Sequence, residues 1–439
     1  MIQGLGALQE RPFRNLYLAR AFSLLGDGIV PVALAFAVLS IEGSATALGL
    51  VIAARAASQI GFMMIGGVIA DRLPRRQILI ASDLLRLVTQ TLIAVLLFTE
   101  TAQVWHMAAL AFIYGIGDAF FRPTSTGIIP QTVSPGRMQQ ANALIALTQS
   151  TFIILGPVLA GLILAFSNPG TAFAIDAATF LVSVLFVLRL PVIPAAARQA
   201  ASFLSELGGG WREFMSRVWL RVDGIYAALG TFAVLAPLFT LGPVFANNNL
   251  GGASAWATIM TAFGVGSVVG GIGLLRGRPA RPLVAALVPL PLIALPGALM
   301  ALGTPTLVIA AGAFLGGLGL SVFNTLFETT VMLNVPQNVM SRVAAIDWML
   351  SGSLLPLGAA LAGPAADAFS VAAVFTFSAV WMVASTVGVL AIPEIRRFRD
   401  TPIAAPSTSE SETAPAPVPA PSPPSDEPSS PSDMTESRS

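Results

Sequence analysis

Cysteine and lysine are both absent from the 439 residues, and His106 is the only histidine. Without cysteine there is no disulfide, no thiolate nucleophile and no cysteine metal site. Without lysine there is no Gly-x-x-x-x-Gly-Lys-Ser/Thr phosphate loop, which argues against a pump driven by ATP. The few acids are scattered and supply no evident nucleophile–base set. The sequence therefore predicts no enzyme, no cofactor and no metal site, and it predicts a structural role for His106 near the outer end of a helix.

Charge is also scarce. Only 10% of the residues are charged and 55% are hydrophobic, whereas soluble domains carry about 25% charged residues. Apolar runs of about 18 residues or more, the length that crosses a bilayer, recur between residues 17 and 392. The first run, 17–41, is too long for a cleavable signal peptide and should remain as a span. These features predict an all-α protein that crosses the membrane many times.

Twelve spans account for the apolar runs. They are predicted at residues 17–41, 46–70, 77–99, 104–127, 141–166, 171–190, 222–246, 254–275, 282–302, 305–330, 341–366 and 369–392. Apart from the few arginines inside spans, arginines fall in alternate connections and at the two ends of this region, while the intervening connections contain none. Because cytoplasmic loops carry the excess of positive charge, we expect a plasma (inner) membrane protein with both termini in the cytoplasm.

The two halves of the chain resemble each other. A shift of 202 positions superposes ten identical residues, namely Phe112, Gly115, Gly117, Phe121, Val133, Met138, Leu155, Gly156, Ala160 and Gly161, on their counterparts from Phe314 to Gly363. Two parallel six-helix repeats characterise one large class of transporters. We therefore predict two pseudo-symmetric six-helix bundles.

Four segments follow from this organisation. The bundles should occupy residues 1–190 and 222–400, joined by a cytoplasmic linker at 191–221 that is either an interfacial helix or a solvated connection. Residues 401–439 are rich in proline, serine and acids. Such a segment cannot bury enough apolar surface to offset its chain entropy, so a disordered cytoplasmic tail is predicted.

A dense group of charges, GGVIADRLPRR at 66–76, joins spans two and three. It resembles the signature of the major facilitator superfamily, and the matching residues are Gly67, Asp71, Arg72, Arg75 and Arg76, with Pro74 where the family usually has glycine. A simple positive-inside anchor would explain the arginines but not the acid or the glycine spacing. The resemblance implies the major facilitator fold and a gating role for Asp71, which would contact the start of the eleventh helix near Ser341–Arg342 and keep the cytoplasmic side shut.

A second stretch, ILGPVLAG at 154–161, resembles the glycine-proline motif of antiporters in this superfamily. Gly156 and Pro157 match, but a single glycine, Gly161, stands where the motif has two. The alternative is an ordinary kinked helix, because neighbouring helices can satisfy the backbone groups that proline frees.

Charged side chains within the spans are the strongest functional candidates, because each costs about 2.5–3.5 kcal/mol at the bilayer centre on insertion scales. Asp27 lies in the middle of span one and, with Arg55 near the same depth, is predicted to couple protons; the alternative is that Asp27 and Arg55 form a structural pair. Seven further residues are predicted to form a charge network at the inner gate. These are Asp83, Arg86, Asp118, Arg122, Glu328, Arg342 and Asp347.

The stretch FRNLYLARAFSLLGDGIVPVALAFAVLS at 13–40 resembles the macrolide and siderophore exporter branch of the superfamily. The spans are rich in Ala, Leu, Phe, Gly and Met, and such a wall suits hydrophobic or amphipathic cargo. We expect a monomeric, proton-coupled exporter (antiporter) of amphipathic compounds such as drugs or siderophores, whose partners are the lipid bilayer, its substrate and protons, and not nucleic acid. An importer of a small organic solute and a non-transporting membrane sensor or scaffold are the alternatives.

Overall fold

The computed structural model describes residues 3–191, 211–274 and 279–399. Most of the predicted linker and the whole predicted tail lie outside these ranges, so both remain predictions. Among the described residues of the predicted linker, 211–216 and 218–221 are helical.

Twelve helices in the described residues are long and apolar enough to cross a membrane, and these residues contain no strand. The predicted all-α, twelve-span fold is therefore confirmed. The helices are α1 (Arg11–Ile41), α2 (Ala45–Arg72), α3 (Arg75–Phe98), α4 (Val104–Gly127), α5 (Met138–Phe166), α6 (Pro169–Val187), α7 (Val218–Asn249), α8 (Ala253–Gly273), α9 (Pro282–Ala301), α10 (Thr306–Asn334), α11 (Gln337–Gly352 and Leu355–Phe369) and α12 (Val371–Ala391).

Polar side chains begin several of these helices. Ser44 accepts a hydrogen bond from the backbone of α2, and Asn168 does the same for α6. At the start of α4 the Gln103 N–H donates to His106 Nδ1 at 3.2 Å. Each contact satisfies a backbone donor that a helix end leaves unpaired. The structure therefore gives His106 the capping role of a helix end, as expected.

Three helices of the second half are interrupted, which the sequence pattern does not predict. A π-helical turn at Thr231–Leu235 interrupts α7, a 3-10 segment at Leu290–Ala294 interrupts α9, and α11 breaks between Gly352 and Leu355. Proline removes backbone donors around the α9 interruption. Such interruptions are frequent at functional sites, and all three lie beside the cavity described below.

The pseudo-symmetry predicted from the sequence is present in the helices. α4 begins at Val104 and α10 at Thr306, while α6 begins at Pro169 and α12 at Val371. Both pairs are separated by the 202 positions of the sequence repeat. The fourth and sixth helices of the two bundles therefore start in the same register.

Repeated glycines make the same contacts in each bundle. Gly115 packs α4 against the backbone of α2, and Gly317 packs α10 against the backbone of α8. Gly117 packs against a carbonyl of α3, and Gly319 against a carbonyl of α9. A side chain at any of these positions would separate the helices, which explains why small residues recur there.

The two bundles meet at the end of the membrane helices opposite the start of α1 and the end of α12. There the Thr46 hydroxyl of α2 donates to Asp367 Oδ2 of α11 at 3.3 Å, and Gly363 packs against the Thr46 backbone. A Cβ on Gly161 of α5 would lie 2.6 Å from the Ala257 Cβ of α8. These contacts close the bundle interface at this end.

Gly363→Val is expected to open that end, because its side chain would overlap the Thr46 backbone. The reporter is Thr240→Cys on α7, a fully buried position next to Gly49, where α2 packs on Ala359 of α11. Its reaction with a water-soluble maleimide should accelerate at least tenfold in Gly363→Val. In Gly388→Val, where nothing lies within 4 Å of the added Cβ, the rate should stay unchanged. Equal rates in both variants would contradict the closure described here.

Candidate transport site

Asp27 lies near the middle of α1 and is half-buried. The Tyr114 hydroxyl of α4 donates to Asp27 Oδ1 at 2.7 Å. The guanidinium carbon of Arg55, from α2, lies 4.5 Å from the centre of the Tyr114 ring. No ion pair within 4.0 Å joins Asp27 and Arg55, both of which the structure describes. The suggested direct pair is therefore not formed in this structure, because Tyr114 lies between the two charges.

Close helix packing positions this unit. Gly28, beside Asp27, lies against Gly156 of α5, where an added Cβ would come within 2.6 Å of the α1 backbone. Pro157 follows inside α5, and Gly161 reaches the bundle interface at Ala257. The antiporter-like stretch thus runs from the neighbourhood of Asp27 to the contact between the bundles.

A second set of charges forms a chain within the N-terminal bundle. Arg86 donates to Asp83 on the same helix, and its Nη1 lies 4.0 Å from Asp118 Oδ1 of α4. Arg122 Nε in turn lies 3.3 Å from Asp118 Oδ2. The structure therefore brings together four of the seven residues predicted for an inner-gate network.

This chain lies in the bundle core. Asp83 and Arg86 are both fully buried. The Arg86 guanidinium carbon lies 3.9 Å from the ring centre of Phe121 and 4.5 Å from that of Phe180, and the Ser183 hydroxyl donates to Asp83 Oδ2 at 2.7 Å. Buried charges are tolerated where they are paired and hydrogen-bonded. The chain therefore lies in the core of the N-terminal bundle, and its role at the gate stays a prediction.

A further buried acid, Asp176 of α6, was missed by the sequence analysis. It is fully buried, accepts a hydrogen bond from Gln90 of α3, and packs against Gly26, one residue before Asp27. Its signal in the sequence is a single acid within the apolar run of span six. Gln59, also missed, donates to Asp118 Oδ2 at 2.7 Å.

The C-terminal bundle encloses a cavity of about 360 Å³. Three acids line it: Asp223 of α7, Glu328 of α10 and Asp347 of α11. Trp348 and Phe323 are among its aromatic residues. The predicted inner-gate network therefore divides into two sites, because no ion pair between described residues links the N-terminal chain to these acids.

The acids of this cavity have no partners among the described residues. Asp223 is 8% exposed, and no hydrogen bond or ion pair joins it to another described residue. Asp347 Oδ1 is buried and without a hydrogen-bond partner. Asp223 was not selected from the sequence because it stands at the predicted edge of span seven, where acids are ordinary; helix α7 in fact begins earlier, at Val218.

The signature stretch is only partly described. Gly67, Asp71 and Arg72 lie in the last turns of α2, and the side chains at these positions, like that of Ser341 in α11, lie outside the described part of the structure. The gating role of Asp71 therefore stays a prediction.

The two other signature arginines connect the loop between α2 and α3 to the N-terminal bundle. Arg75 donates to the Gly127 carbonyl at the end of α4. Arg76 donates to the carbonyls of Val187 and Leu188 at the end of α6, at 3.3 and 2.6 Å. Cations are favourable at helix C-termini, so these contacts hold three helices of the N-terminal bundle together. Arg342 lies in α11, in the other bundle.

Two pseudo-symmetric six-helix bundles with charges at mid-membrane depth define the chain as a transporter of the major facilitator class. A family model described as "Transmembrane secretion effector" matches residues 2–411. The chain belongs to this family.

Curated relatives and solved structures agree with this assignment. The chain is 25% identical to proteins named enterobactin exporter EntS from Shigella boydii and Escherichia coli, over 91% of this chain and 96% of theirs. The nucleoside transporter NupG shares the fold with a TM-score of 0.68 at 16% identity, over 88% of this chain and 99% of that one. A bacterial homologue of the lysosomal transporter Spinster, titled inward-facing and unoccupied, gives a TM-score of 0.60 at 16% identity, over 88% and 96% of the two chains.

Proposed function

We propose that this protein is a proton-coupled exporter, an antiporter, of amphipathic organic compounds in the inner (plasma) membrane. The observation that carries the proposal is the unit of Asp27, Tyr114 and Arg55 near the middle of the membrane helices. A carboxyl group at this depth that a transporter exposes to each side in turn can carry protons one way while cargo moves the other.

The contacts indicate how Asp27 would couple protonation to helix movement. The ionised carboxylate accepts the Tyr114 hydrogen bond, and the nearby Arg55 cation stabilises its charge. Protonation removes that charge and weakens the attraction across the ring. Since α1 packs on α5 beside Asp27, and α5 meets α8 at Gly161, a shift of α1 reaches the bundle interface directly.

Export is favoured over import because the curated relatives are named exporters, and family membership favours transport over a sensor. With positive loops inside, both termini are cytoplasmic, so the closed end described above faces outward. We further propose a monomer that works in the lipid bilayer and exchanges protons for its substrate, without binding nucleic acid.

Direction and energy source can be tested in inverted membrane vesicles. A panel of fluorescent amphipathic compounds is followed after a proton gradient, acidic inside, is imposed. At least one compound should accumulate against its gradient in vesicles that contain the protein and not in vesicles that lack it, and a protonophore should release it. Gradient-driven loss of the compound from the vesicles would indicate import and contradict the proposal.

The orientation gives a separate prediction. Single cysteines at Thr101 and Asn248 should react with an impermeant maleimide from outside intact cells, whereas cysteines at Gly136 and Arg396 should react only after permeabilisation. All four positions are exposed, and the native chain has no cysteine. Labelling of Gly136→Cys in intact cells would reverse the assigned orientation.

A further inference from the structure

The glycine contacts that both bundles share indicate which residue of the C-terminal bundle takes the place of Arg86. The equivalent glycines of α4 and α10 pack against the carbonyls of Ser82 in α3 and Pro289 in α9, so these two residues correspond. Four residues after them come Arg86 and Ile293 respectively. Ile293 lines the cavity. The cavity therefore lies where the N-terminal bundle places its buried guanidinium group.

The C-terminal bundle retains an aromatic residue that in the N-terminal bundle packs against the Arg86 guanidinium group. Phe121, against which Arg86 packs at 3.9 Å, corresponds in the repeat to Phe323, and Phe323 lines the cavity. Trp348 and Tyr226 line it as well. Aromatic faces attract cations, by about 0.5–2 kcal/mol per contact. None of the described residues that line the cavity carries a positive charge.

Its acids are uncompensated. Asp223, Glu328 and Asp347 all line the same cavity. Asp223 is more than nine-tenths buried, has no hydrogen-bond or ion-pair partner among the described residues, and faces the cavity. In the N-terminal bundle, by contrast, each acid of the buried chain has an arginine beside it. A buried carboxylate without a partner is costly, and either a proton or a cation from outside the protein removes that cost.

The volume of the cavity indicates the size of the ligand that it could hold. The described residues hold no group of three His, Cys, Asp or Glu side chains that could ligate a metal ion, these three acids included. The cavity volume of about 360 Å³ falls in the range of small-molecule sites, roughly 300–1,000 Å³. Separated carboxylates around an aromatic-lined space of this size fit an organic cation with an apolar body.

We propose that the cavity in the C-terminal bundle is the cargo site and that it selects amphipathic organic cations. Asp223 and Asp347 balance the positive charge, and Trp348 and Phe323 hold the apolar groups. This inference rests on the proposed exporter function and specifies its substrate class. In the N-terminal bundle the buried acids are balanced by the protein's own Arg86. In the C-terminal bundle the positive charge would come from the bound cargo.

Binding to the purified full-length protein tests the cavity without requiring transport. The probes are tetraphenylphosphonium and tetraphenylborate, which have nearly the same shape and opposite charges, each measured separately by equilibrium binding in detergent. Tetraphenylphosphonium should bind saturably, and tetraphenylborate should not. Equal binding of the two ions, or no saturable binding of the cation, would overturn the proposal.

Substitutions locate the bound cation. Asp223→Asn and Asp347→Asn should each weaken tetraphenylphosphonium binding at least tenfold, and Trp348→Ala should weaken it by about two- to thirtyfold. Glu394→Gln, which neutralises an exposed acid beyond α12, should leave binding unchanged. Unchanged binding in both aspartate variants would also overturn the proposal.

The two proposals fail in different ways. Proton-driven export of a neutral or anionic compound, together with no cation binding, would contradict the cation site and leave the exporter in place. Cation binding that requires Asp223, without any gradient-driven movement of cargo, would contradict the exporter and leave the site in place.

Discussion

Asp27→Asn is expected to abolish export driven by a proton gradient while leaving cargo binding within about twofold of the parent protein. Asparagine keeps the size of the side chain and an acceptor for the Tyr114 hydroxyl, but it cannot take up or release a proton. The variant should therefore still exchange labelled for unlabelled cargo across the membrane, because exchange requires no net proton movement. Both rates can be measured in the same preparation of inverted vesicles.

Two further variants serve as comparisons for Asp27→Asn. Glu394→Gln removes an acid outside the membrane helices and should transport at the parent rate. Tyr114→Phe removes the hydroxyl but leaves a ring for Arg55, so it should slow gradient-driven export without eliminating it. Export in Asp27→Asn at the parent rate and at normal abundance would exclude Asp27 as the coupling residue.

Arg86→Gln is expected to cause the largest loss of stability, about 3–5 kcal/mol, because it leaves a buried carboxylate without its partner. Asp83 and Arg86 are both fully buried and bonded to each other. The loss can be measured as a lower free energy of unfolding in mixed micelles, followed by tryptophan fluorescence.

The matched control is Arg122→Gln. Arg122 also pairs with an acid of the chain, but its side chain is 55% exposed, and exposed ion pairs contribute only about 0–1 kcal/mol. The double variant Asp83→Asn/Arg86→Gln should lose less stability than Arg86→Gln alone, because no charged Asp83 remains to be buried unpaired. Equal losses in Arg86→Gln and Arg122→Gln would contradict the central role of the buried pair.

The fold could be predicted closely because membrane helices are recognisable in a sequence as long apolar runs with few charged residues. Span four was predicted at 104–127, and α4 is Val104–Gly127. The repeat was visible because close helix contacts require glycine at the same places in both halves, as at Gly115 and Gly317. Interruptions such as the π-helical turn in α7 were not predictable, since they arise from packing between helices.

The sites were predicted less completely. Acids in apolar runs can be read from a sequence, but their partners on other helices cannot, so Tyr114 was missed between Asp27 and Arg55. For the same reason one network was predicted where the structure has two sites. Asp223 could not be distinguished from an ordinary interfacial acid until α7 was seen to begin before it and the cavity beside it was seen.

Proton movement coupled to cargo movement is the most direct test of the central proposal. Purified protein is reconstituted into liposomes that contain a pH-sensitive dye and a cargo compound identified in the vesicle panel, and the liposomes are diluted into cargo-free buffer. Cargo efflux should acidify the lumen, because protons enter in exchange, and Asp27→Asn liposomes should show no acidification. Cargo efflux with no change in luminal pH, or acidification that persists in Asp27→Asn, would contradict proton antiport through Asp27.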